Sequence, residues 1–357
     1  MDNFSKKNRP VGLITGSGTG PELIQFARRI LNVLSDLSKN PIEIVDFPDQ
    51  ELIVSIKEEI YSEELYQKLR EFMDRLAMQN GITIRGSIPA PVLYKLRRNF
   101  GQSFKISLLN PFPRLSCKPN LNVLLFREAV SGLYHFGSIE RVDDCVTAMI
   151  RSDKKSVVFM AIKAFEFARL HLPHRVTLVL KTSVLGEWGH LWLEAFEEVS
   201  KKFPDIEFVK RPSGAGFSDM WIRPDDFGVV VTDDQGGDVV SDILPTIIYG
   251  TRNLIAGASF SRHGHADFQT EHGTIMPLAG KNLVNPLGML NAVFLGLRWG
   301  LGRFDEAQCL HKSMELTLSQ GYRTSDFYIS GQGQLVKTDE MVEKIISNLY
   351  DMWKENA

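Results

Sequence analysis

Short apolar runs alternate along the chain with longer stretches in which apolar residues recur every three to four positions. Residues 11–15 are one such run, which ends at a glycine-rich segment, and a periodic stretch follows from Pro21. Short apolar runs are typical of buried strands and the longer periodic stretches are typical of helices. Their alternation predicts an α/β fold with a largely parallel sheet. Further strands are predicted at 82–85, 123–126, 176–180 and 228–232, and further helices at 63–79, 159–170 and 191–202.

Length and composition are ordinary for a globular protein of two domains. The chain has 357 residues, of which 43% are hydrophobic and 24% charged, and its net charge is −2. A chain of this size buries enough surface to fold without disulfides or a structural metal. The near-neutral balance gives no argument for nucleic acid or a membrane as partner. The three cysteines, Cys117, Cys145 and Cys309, form no metal or disulfide pattern.

The N-terminal residues are polar and basic, with no apolar segment of the secretory kind behind them. No stretch approaches the roughly 20 apolar residues that a transmembrane helix needs. We therefore expect a cytoplasmic protein.

Two aspartates spaced four apart are the first candidate for chemistry. Asp238 and Asp242 follow the predicted strand 228–232 and sit in a glycine-rich context. If this segment is helical, both side chains lie on one face. Carboxylate pairs of this kind bind hard cations such as Mg²⁺ or Mn²⁺, although solvated surface acids show the same spacing. The segment is a candidate metal site.

Other candidates are residues that suit proton transfer and carboxylate binding. Lys181 follows a predicted apolar strand, where desolvation would favour the neutral amine that accepts a proton. Arg127 offers a rigid fork for a carboxylate, and Tyr134 a phenol that can act as an acid. Each could equally be structural. The glycine-containing residues 271–274 and the loop 278–286 suit a close approach of the backbone to a cofactor.

Taken in order, these segments resemble the isocitrate/isopropylmalate dehydrogenase family of β-decarboxylating dehydrogenases. The family motifs G-D-G-I-G-P-E, R-E-N-x-x-G-x-Y, D-K-A-N, G-D-x-x-S-D, H-G-(S/T)-A-P-x-x-A-G, N-P and G-x-R-T-x-D have counterparts in the same order and with similar spacing. The counterparts are residues 16–22, 127–134, 180–183, 237–242, 272–280, 285–286 and 321–326.

The resemblance implies a fold of two α/β domains like that of isopropylmalate dehydrogenase. Both chain ends, 1–105 and 247–357, would form the large domain on the cofactor side, and residues 106–246 the small domain. The absence of a single linker agrees with a chain that passes between the domains more than once. Residues 139–157 would project as an arm that clasps the partner chain of a homodimer.

The resemblance also implies an activity and a role for each matching residue. A malate-like 2-hydroxy acid would be oxidised with NAD or NADP and decarboxylated with the help of Mg²⁺ or Mn²⁺. Lys181 would take the hydroxyl proton, and Tyr134 would protonate the enol. The implied substrate-binding residues are Arg127, Arg97, Asn110 and Ser183, the cofactor-binding residues are His272, Gly273, Thr274, Asn285 and Thr15, and the metal ligands are Asp238 and Asp242.

The sequence departs from the family pattern at several of these positions. The third metal aspartate, which a partner chain would present, falls on Gly214, and the second carboxylate-binding arginine falls on Asn110. Gln269 replaces the glutamate of the cofactor motif, and Pro277 stands where a residue that distinguishes NAD from NADP is usual. Two hypotheses remain: a divergent dehydrogenase with an altered substrate, or a catalytically impaired relative that binds a ligand or regulates a catalytic partner.

Overall fold

A computed structural model of the protein describes residues 9–57, 59–109, 112, 121–134, 139–251, 253–262, 264–329 and 331–356. Its strands are β1 (Val11–Ile14), β2 (Ile44–Asp46), β3 (Ile82–Arg85), β4 (Phe104–Leu109), β5 (Val123–Glu128), β6 (Ile139–Val142), β7 (Cys145–Ala148), β8 (Arg175–Leu180), β9 (Glu207–Pro212), β10 (Val229–Thr232), β11 (Ala256–Phe260), β12 (Ala266–Thr270), β13 (Tyr322–Arg323) and β14 (Gln334–Leu335).

The α-helices are α1 (Gly20–Ser38), α2 (Gln50–Ser55), α3 (Glu63–Met78), α4 (Ala90–Phe100), α5 (Lys154–Ala168), α6 (Gly186–Ser200), α7 (Ser213–Ile222), α8 (Asp234–Tyr249), α9 (Leu287–Leu295), α10 (Phe304–Ser319) and α11 (Thr338–Asn356). A π-helical segment, Gly296–Leu301, follows α9 directly. Within the described residues, no helix is long and apolar enough to cross a membrane.

One ten-stranded sheet, in the order β2-β1-β3-β12-β11-β4-β5-β10-β8-β9, runs through the molecule. The pairings at both ends of the sheet are parallel, whereas β12, β11, β4 and β5 pair antiparallel in the middle. The predicted α/β class is confirmed, and the predicted strands and helices are all present with ends shifted by a few residues. The apolar runs do not predict the antiparallel centre, because they do not distinguish the direction of pairing.

Two large apolar cores lie along this sheet. The first includes residues of α1, α9, α10 and α11, which both chain ends supply, and the second includes residues of α5 and α6. The boundaries expected between two domains, at 105/106 and 246/247, fall inside β4 and α8. The chain therefore passes between the two cores within continuous elements, without a flexible linker. The division into two domains stays a prediction.

The expected arm is partly a hairpin. Strands β6 and β7 pair antiparallel, and every residue in them is exposed. Residues 154–157 instead begin α5, which Asp153 caps through hydrogen bonds from the backbone amides of Lys155 and Ser156 at 3.1 Å each. The exposed apolar side chains of the hairpin make it a surface that a second chain could cover.

Candidate functional site

The centre of the candidate site is an ion pair between a strand and a helix. Arg127 is on β5 next to β10, and its side chain is 9% exposed; it forms an ion pair with Asp238 of α8, which is 42% exposed. A Cβ at Gly237 would lie 2.5 Å from the Arg127 side chain, so a residue without one is needed where the arginine crosses the helix. Arg127 also donates to the Tyr94 hydroxyl at 3.4 Å. The predicted arginine and one predicted metal ligand are thus in contact.

Tyr134 is brought to the same place by the chain segment that follows β5. Its ring lies 5.8 Å from the Arg127 guanidinium carbon, and its backbone amide donates to Asp234 at 2.5 Å. Asp234 is buried at the start of α8. Burial raises the pKa of the Tyr134 phenol, and the Asp238 carboxylate adds to this effect. The phenol is therefore held in the protonated form that a proton donor needs.

The two predicted metal ligands lie on one face of α8, four residues apart, as expected. Two carboxylates, completed by water and substrate oxygens, fit a Mg²⁺ or Mn²⁺ ion, which commonly uses one or two protein carboxylates. Among the described residues, no cluster of three or more histidine, cysteine or acidic side chains could hold a metal. Gly214, in the first turn of α7, is exposed. The nearest acid, Asp219, has its carboxylate bound by Arg211 and Arg223 at 3.1 and 3.0 Å.

A row of charged side chains continues from Arg127 across the middle of the sheet. Residues that pair across neighbouring strands point to the same face. Arg127 pairs with Lys105 on β4, and Arg85 on β3 pairs with Gln269 on β12. We call this set the charged row; it consists of Arg85, Asp267, Lys105, Glu271 and Arg127, together with the neutral Gln269. In one half of it, Arg85 binds Asp267 at 2.9 Å and donates to Gln269.

Lys105 and Glu271 form the other half; neither was a predicted site residue, although Glu271 begins the predicted cofactor segment 271–274. They make an ion pair whose side chains are each 5% exposed, and Ser107 donates to the second Glu271 oxygen at 2.8 Å. Burial lowers the pKa of Lys105; burial alone would raise the pKa of Glu271, but the Lys105 ammonium keeps it low. The alternation of polar and apolar residues in 104–109 was the available signal for this charged face.

Arg97 is a buried cation near this row without a carboxylate partner among the described residues. It lies on α4 and is 4% exposed. Its Nη2 donates weakly to Gln269 at 3.5 Å, and its Nε has no hydrogen-bond partner within the same part of the chain. Burial lowers its pKa to about 10, still well above neutral pH. A buried guanidinium with free donors suits an anion from solution, so the predicted role of Arg97 fits its surroundings.

Lys181 and Ser183 follow β8 at the edge where β10 also ends. Both residues are exposed. The expected desolvation of Lys181 is therefore wrong for the single chain: the apolar strand ends at Leu180, and the lysine extends beyond it. Lys181 makes no ion pair with any residue that the structure describes. Asn110, predicted to bind substrate, lies outside the described residues.

The predicted cofactor residues lie beside the N-terminal glycine-rich segment. Thr19 donates its amide to the Thr274 carbonyl at 2.9 Å. Gly18 has a φ of 61°, and a Cβ there would lie 2.0 Å from the same carbonyl, so only glycine allows this approach. His272 is buried, with its Nδ1 2.9 Å from the Gly273 carbonyl. Thr15 is buried, and its hydroxyl has no partner among the described residues.

Asn285 supports the loop that follows these residues. Its amide nitrogen donates to Asp326 at 3.1 Å, and its oxygen accepts from the Leu287 amide at 3.0 Å at the start of α9. Asp326 also accepts from Thr324 at 2.7 Å and Thr251 at 2.8 Å. The C-terminal motif thus fixes the loop. Contact between the Asn285 side chain and a cofactor stays a prediction.

Comparisons with known proteins identify the family and the fold of the chain. Residues 10–345 match the family model of isocitrate/isopropylmalate dehydrogenase. A 3-isopropylmalate dehydrogenase of Oceanobacillus iheyensis is 30% identical over 228 residues, 64% of this chain and 61% of that protein. A mitochondrial regulatory subunit of the NAD isocitrate dehydrogenase of Dictyostelium discoideum is 26% identical, with 98% of this chain and 96% of that protein covered. The solved structure of isocitrate dehydrogenase from Methylococcus capsulatus has a TM-score of 0.80, at 23% identity and 96% and 99% coverage.

Proposed function

The chain belongs to the isocitrate/isopropylmalate dehydrogenase family, and we propose that it oxidises and decarboxylates a malate-like 2-hydroxy acid with NAD or NADP. The family as a whole depends on a dinucleotide and a divalent metal. The observation that carries the proposal is the cluster at the ends of β5 and β10. There, Arg127 forms an ion pair with Asp238 and lies over the Tyr134 ring, close to Arg97, which has no carboxylate partner among the described residues.

Substrate binding would use the cations of this cluster. Arg97 would hold one carboxylate, because its guanidinium has free donors in a buried setting. Arg127 forms an ion pair with Asp238. A metal bound to Asp238 would break this pair and free Arg127 to bind the substrate. Asp238 and Asp242 would hold Mg²⁺ or Mn²⁺, which when bound would polarise the substrate oxygens as a Lewis acid.

Proton transfer would involve one proton donor and one proton acceptor. Tyr134 is protonated at neutral pH and adjoins Arg127, so it suits protonation of the enol that remains after decarboxylation. Lys181 would accept the hydroxyl proton. Because Lys181 is exposed in the single chain, a further surface must cover it to exclude water from the site.

We propose that a second copy of the chain supplies this surface. Val239, Ile243 and Ile247 form an apolar stripe on α8 that is 49%, 50% and 46% exposed. Ile139 of the hairpin β6–β7 and Met149, which follows it, are 68% and 64% exposed. Apolar patches of this kind mark protein interfaces. Light scattering should give twice the chain mass, and Ile243→Lys should reduce it to a monomer; a wild-type monomer at micromolar concentration would contradict the homodimer.

A regulatory role is the second candidate function. Glycine stands at position 214, where the family has the aspartate that serves as third metal ligand. In addition, one relative of similar length is a regulatory subunit. The discriminating experiment is a panel of malate-like acids with NAD or NADP and Mn²⁺, followed at the absorbance of the reduced nicotinamide. Turnover that disappears in Asp242→Asn supports the enzyme. Binding of an acid without turnover, together with association with an active homologue, supports the regulatory role.

A further inference from the structure

A large cleft among the described residues lies on the opposite face of the sheet from the charged row. It has a volume of about 980 Å³. On β4, Leu108 points into it, whereas Lys105 and Ser107 point to the other face. On β5, Leu124 points into it, whereas Arg127 does not. We call this space the rear cleft; its walls include Leu108, Leu124, Phe167, Phe260, Trp299 and Phe304.

The rear cleft lies at the junction of the two apolar cores. Leu108, Phe260 and Trp299 each pack partly against both cores, and all three line the cleft. Phe167 meets Trp299 edge to face, with ring centroids 5.2 Å apart. Concave, largely aromatic spaces of roughly 300–1,000 Å³ between domains are typical of sites for small organic molecules.

A π-helical segment forms part of its wall. Arg298, Trp299 and Gly300, all within Gly296–Leu301, face the cleft. The guanidinium of Arg9 donates to the Gly300 carbonyl and to the Asn80 carbonyl. π-helical turns are rare and often occur at functional sites, where they change the direction in which side chains point. This second observation, independent of the volume, also suggests a ligand.

The charges around the cleft indicate the sign of that ligand. Lys163 binds Glu166 at 2.7 Å. The remaining carboxylate of the lining, Glu315, is outnumbered by the cations Arg9, Arg298 and Lys312. Arg298 and Lys312 form no ion pair with any residue that the structure describes, and both are exposed at the rim. Burial lowers the pKa of His311 to about 4, and Arg298 contributes to this, so His311 is neutral and adds no charge.

We propose that the rear cleft binds a small organic anion with an aromatic body, at a site separate from the charged row. The aromatic walls would contact the body, and Arg298 and Lys312 would face the acid group. Because the cleft touches both cores, a bound ligand would stabilise one arrangement of the two, and β4 and β5 would connect it to the charged row. The site would thus suit an effector of the proposed activity, although its binding does not depend on that activity.

The test uses 8-anilinonaphthalene-1-sulfonate, a fluorescent aromatic anion, titrated into the full chain. We expect saturation at one probe per chain. Reversing the rim charges in Arg298→Glu/Lys312→Glu should weaken binding about tenfold, because two attractive contacts become repulsive. Filling the mouth in Gln308→Trp should weaken it to a similar extent. The matched control Lys201→Glu/Lys202→Glu makes the same charge change on an exposed surface away from the cleft and should change affinity by less than about twofold.

Three results would overturn the proposal. Affinity unchanged in both cleft variants would exclude the cleft as the site. Loss of probe binding in Ile243→Lys would place the probe's binding site on the apolar stripe of α8. Displacement of the probe by NAD, NADP or malate would place the site on the face of the charged row. If the double variant does not fold, the single variants Arg298→Glu and Gln308→Trp decide. Probe binding does not depend on dehydrogenase activity. Failure of the cleft proposal can therefore be distinguished from failure of the proposed function.

Discussion

The two faces of the central sheet differ in how they hold charge, although the same strands build both. On the face of the charged row, Lys105, Arg127 and Arg85 are buried, and each is bound by a carboxylate. On the rear face, the walls are aromatic and the cations Arg298 and Lys312 remain in water at the rim. Alternation with period two allows one strand to serve both environments. The side chains of the first face are therefore held in place by ion pairs, whereas Arg97 beside them has no carboxylate partner among the described residues.

The largest expected effect comes from leaving one charge of the row without its partner. Glu271→Leu removes the carboxylate from Lys105 while Arg127 and Arg97 stay close. Breaking a buried ion pair on one side costs about 3–5 kcal/mol. We expect the free energy of unfolding to fall by this amount in denaturant titrations. Lys105→Met/Glu271→Leu, the matched double variant, should recover most of the loss.

At the rim of the rear cleft, by contrast, exposed charges can be removed at little cost. Arg298→Met should change the free energy of unfolding by less than about 0.5 kcal/mol, as is usual for exposed side chains. A loss comparable to that of Glu271→Leu would mean that the two faces do not differ in the way proposed here.

Substitution of Lys181 tests for a catalytic role at the end of β8, where the chain leaves the sheet. Lys181→Met should lower turnover by about 10²-fold or more, the scale of a lost acid–base group. Melting temperature should not change, because the side chain is exposed and makes no ion pair with a described residue. Lys202→Met, an exposed lysine at the end of α6, is the control for loss of a surface charge. Near wild-type turnover by Lys181→Met would show that the lysine has no catalytic role.

Much of this arrangement could be predicted from the sequence, because it depends on local spacing. The strand 82–85 and the common face of Asp238 and Asp242 follow from periods of two and 3.6 residues. The pairing of Lys105 with Glu271 could not be predicted, because 166 residues separate them and only the antiparallel centre of the sheet brings them together. The exposure of Lys181 was missed for another reason: an apolar strand gives no information about the residue after its end.

Glu128 follows Arg127 on β5 and, because side chains alternate along a strand, points to the opposite face, where it allows a test of burial through pH. Burial raises its pKa to about 7 from an ordinary value near 4.5, while Ser131 and neighbouring amides bind one oxygen and the other has no partner among the described residues. A raised carboxyl pKa stabilises the fold below pH 4.5, and this contribution is lost as pH rises through 7. Glu128→Gln imitates the protonated acid. Its stability relative to the wild type should rise by about 2–3 kcal/mol between roughly pH 4.5 and 8.

Parallel stability curves for the wild type and Glu128→Gln would contradict the raised pKa. The comparison between the two chains is needed because His265, whose burial lowers its pKa to about 4, also changes stability in acid. Its contribution is the same in both chains and cancels in the difference.

A change in Mn²⁺ affinity separates the two roles of Arg127 at the centre of the first face. In the absence of substrate, the Arg127 guanidinium is bound to the carboxylate of Asp238, a proposed metal ligand, and repels a cation there. Arg127→Met should therefore tighten Mn²⁺ binding about tenfold in calorimetry, the scale of one partly exposed charge contact, while weakening the substrate acid. Arg169→Met, which breaks the exposed pair with Asp205, should leave Mn²⁺ binding unchanged. Adding Asp242→Asn to Arg127→Met should remove the gain. If Mn²⁺ affinity does not change in Arg127→Met, Asp238 is a structural partner of the arginine and the metal lies elsewhere.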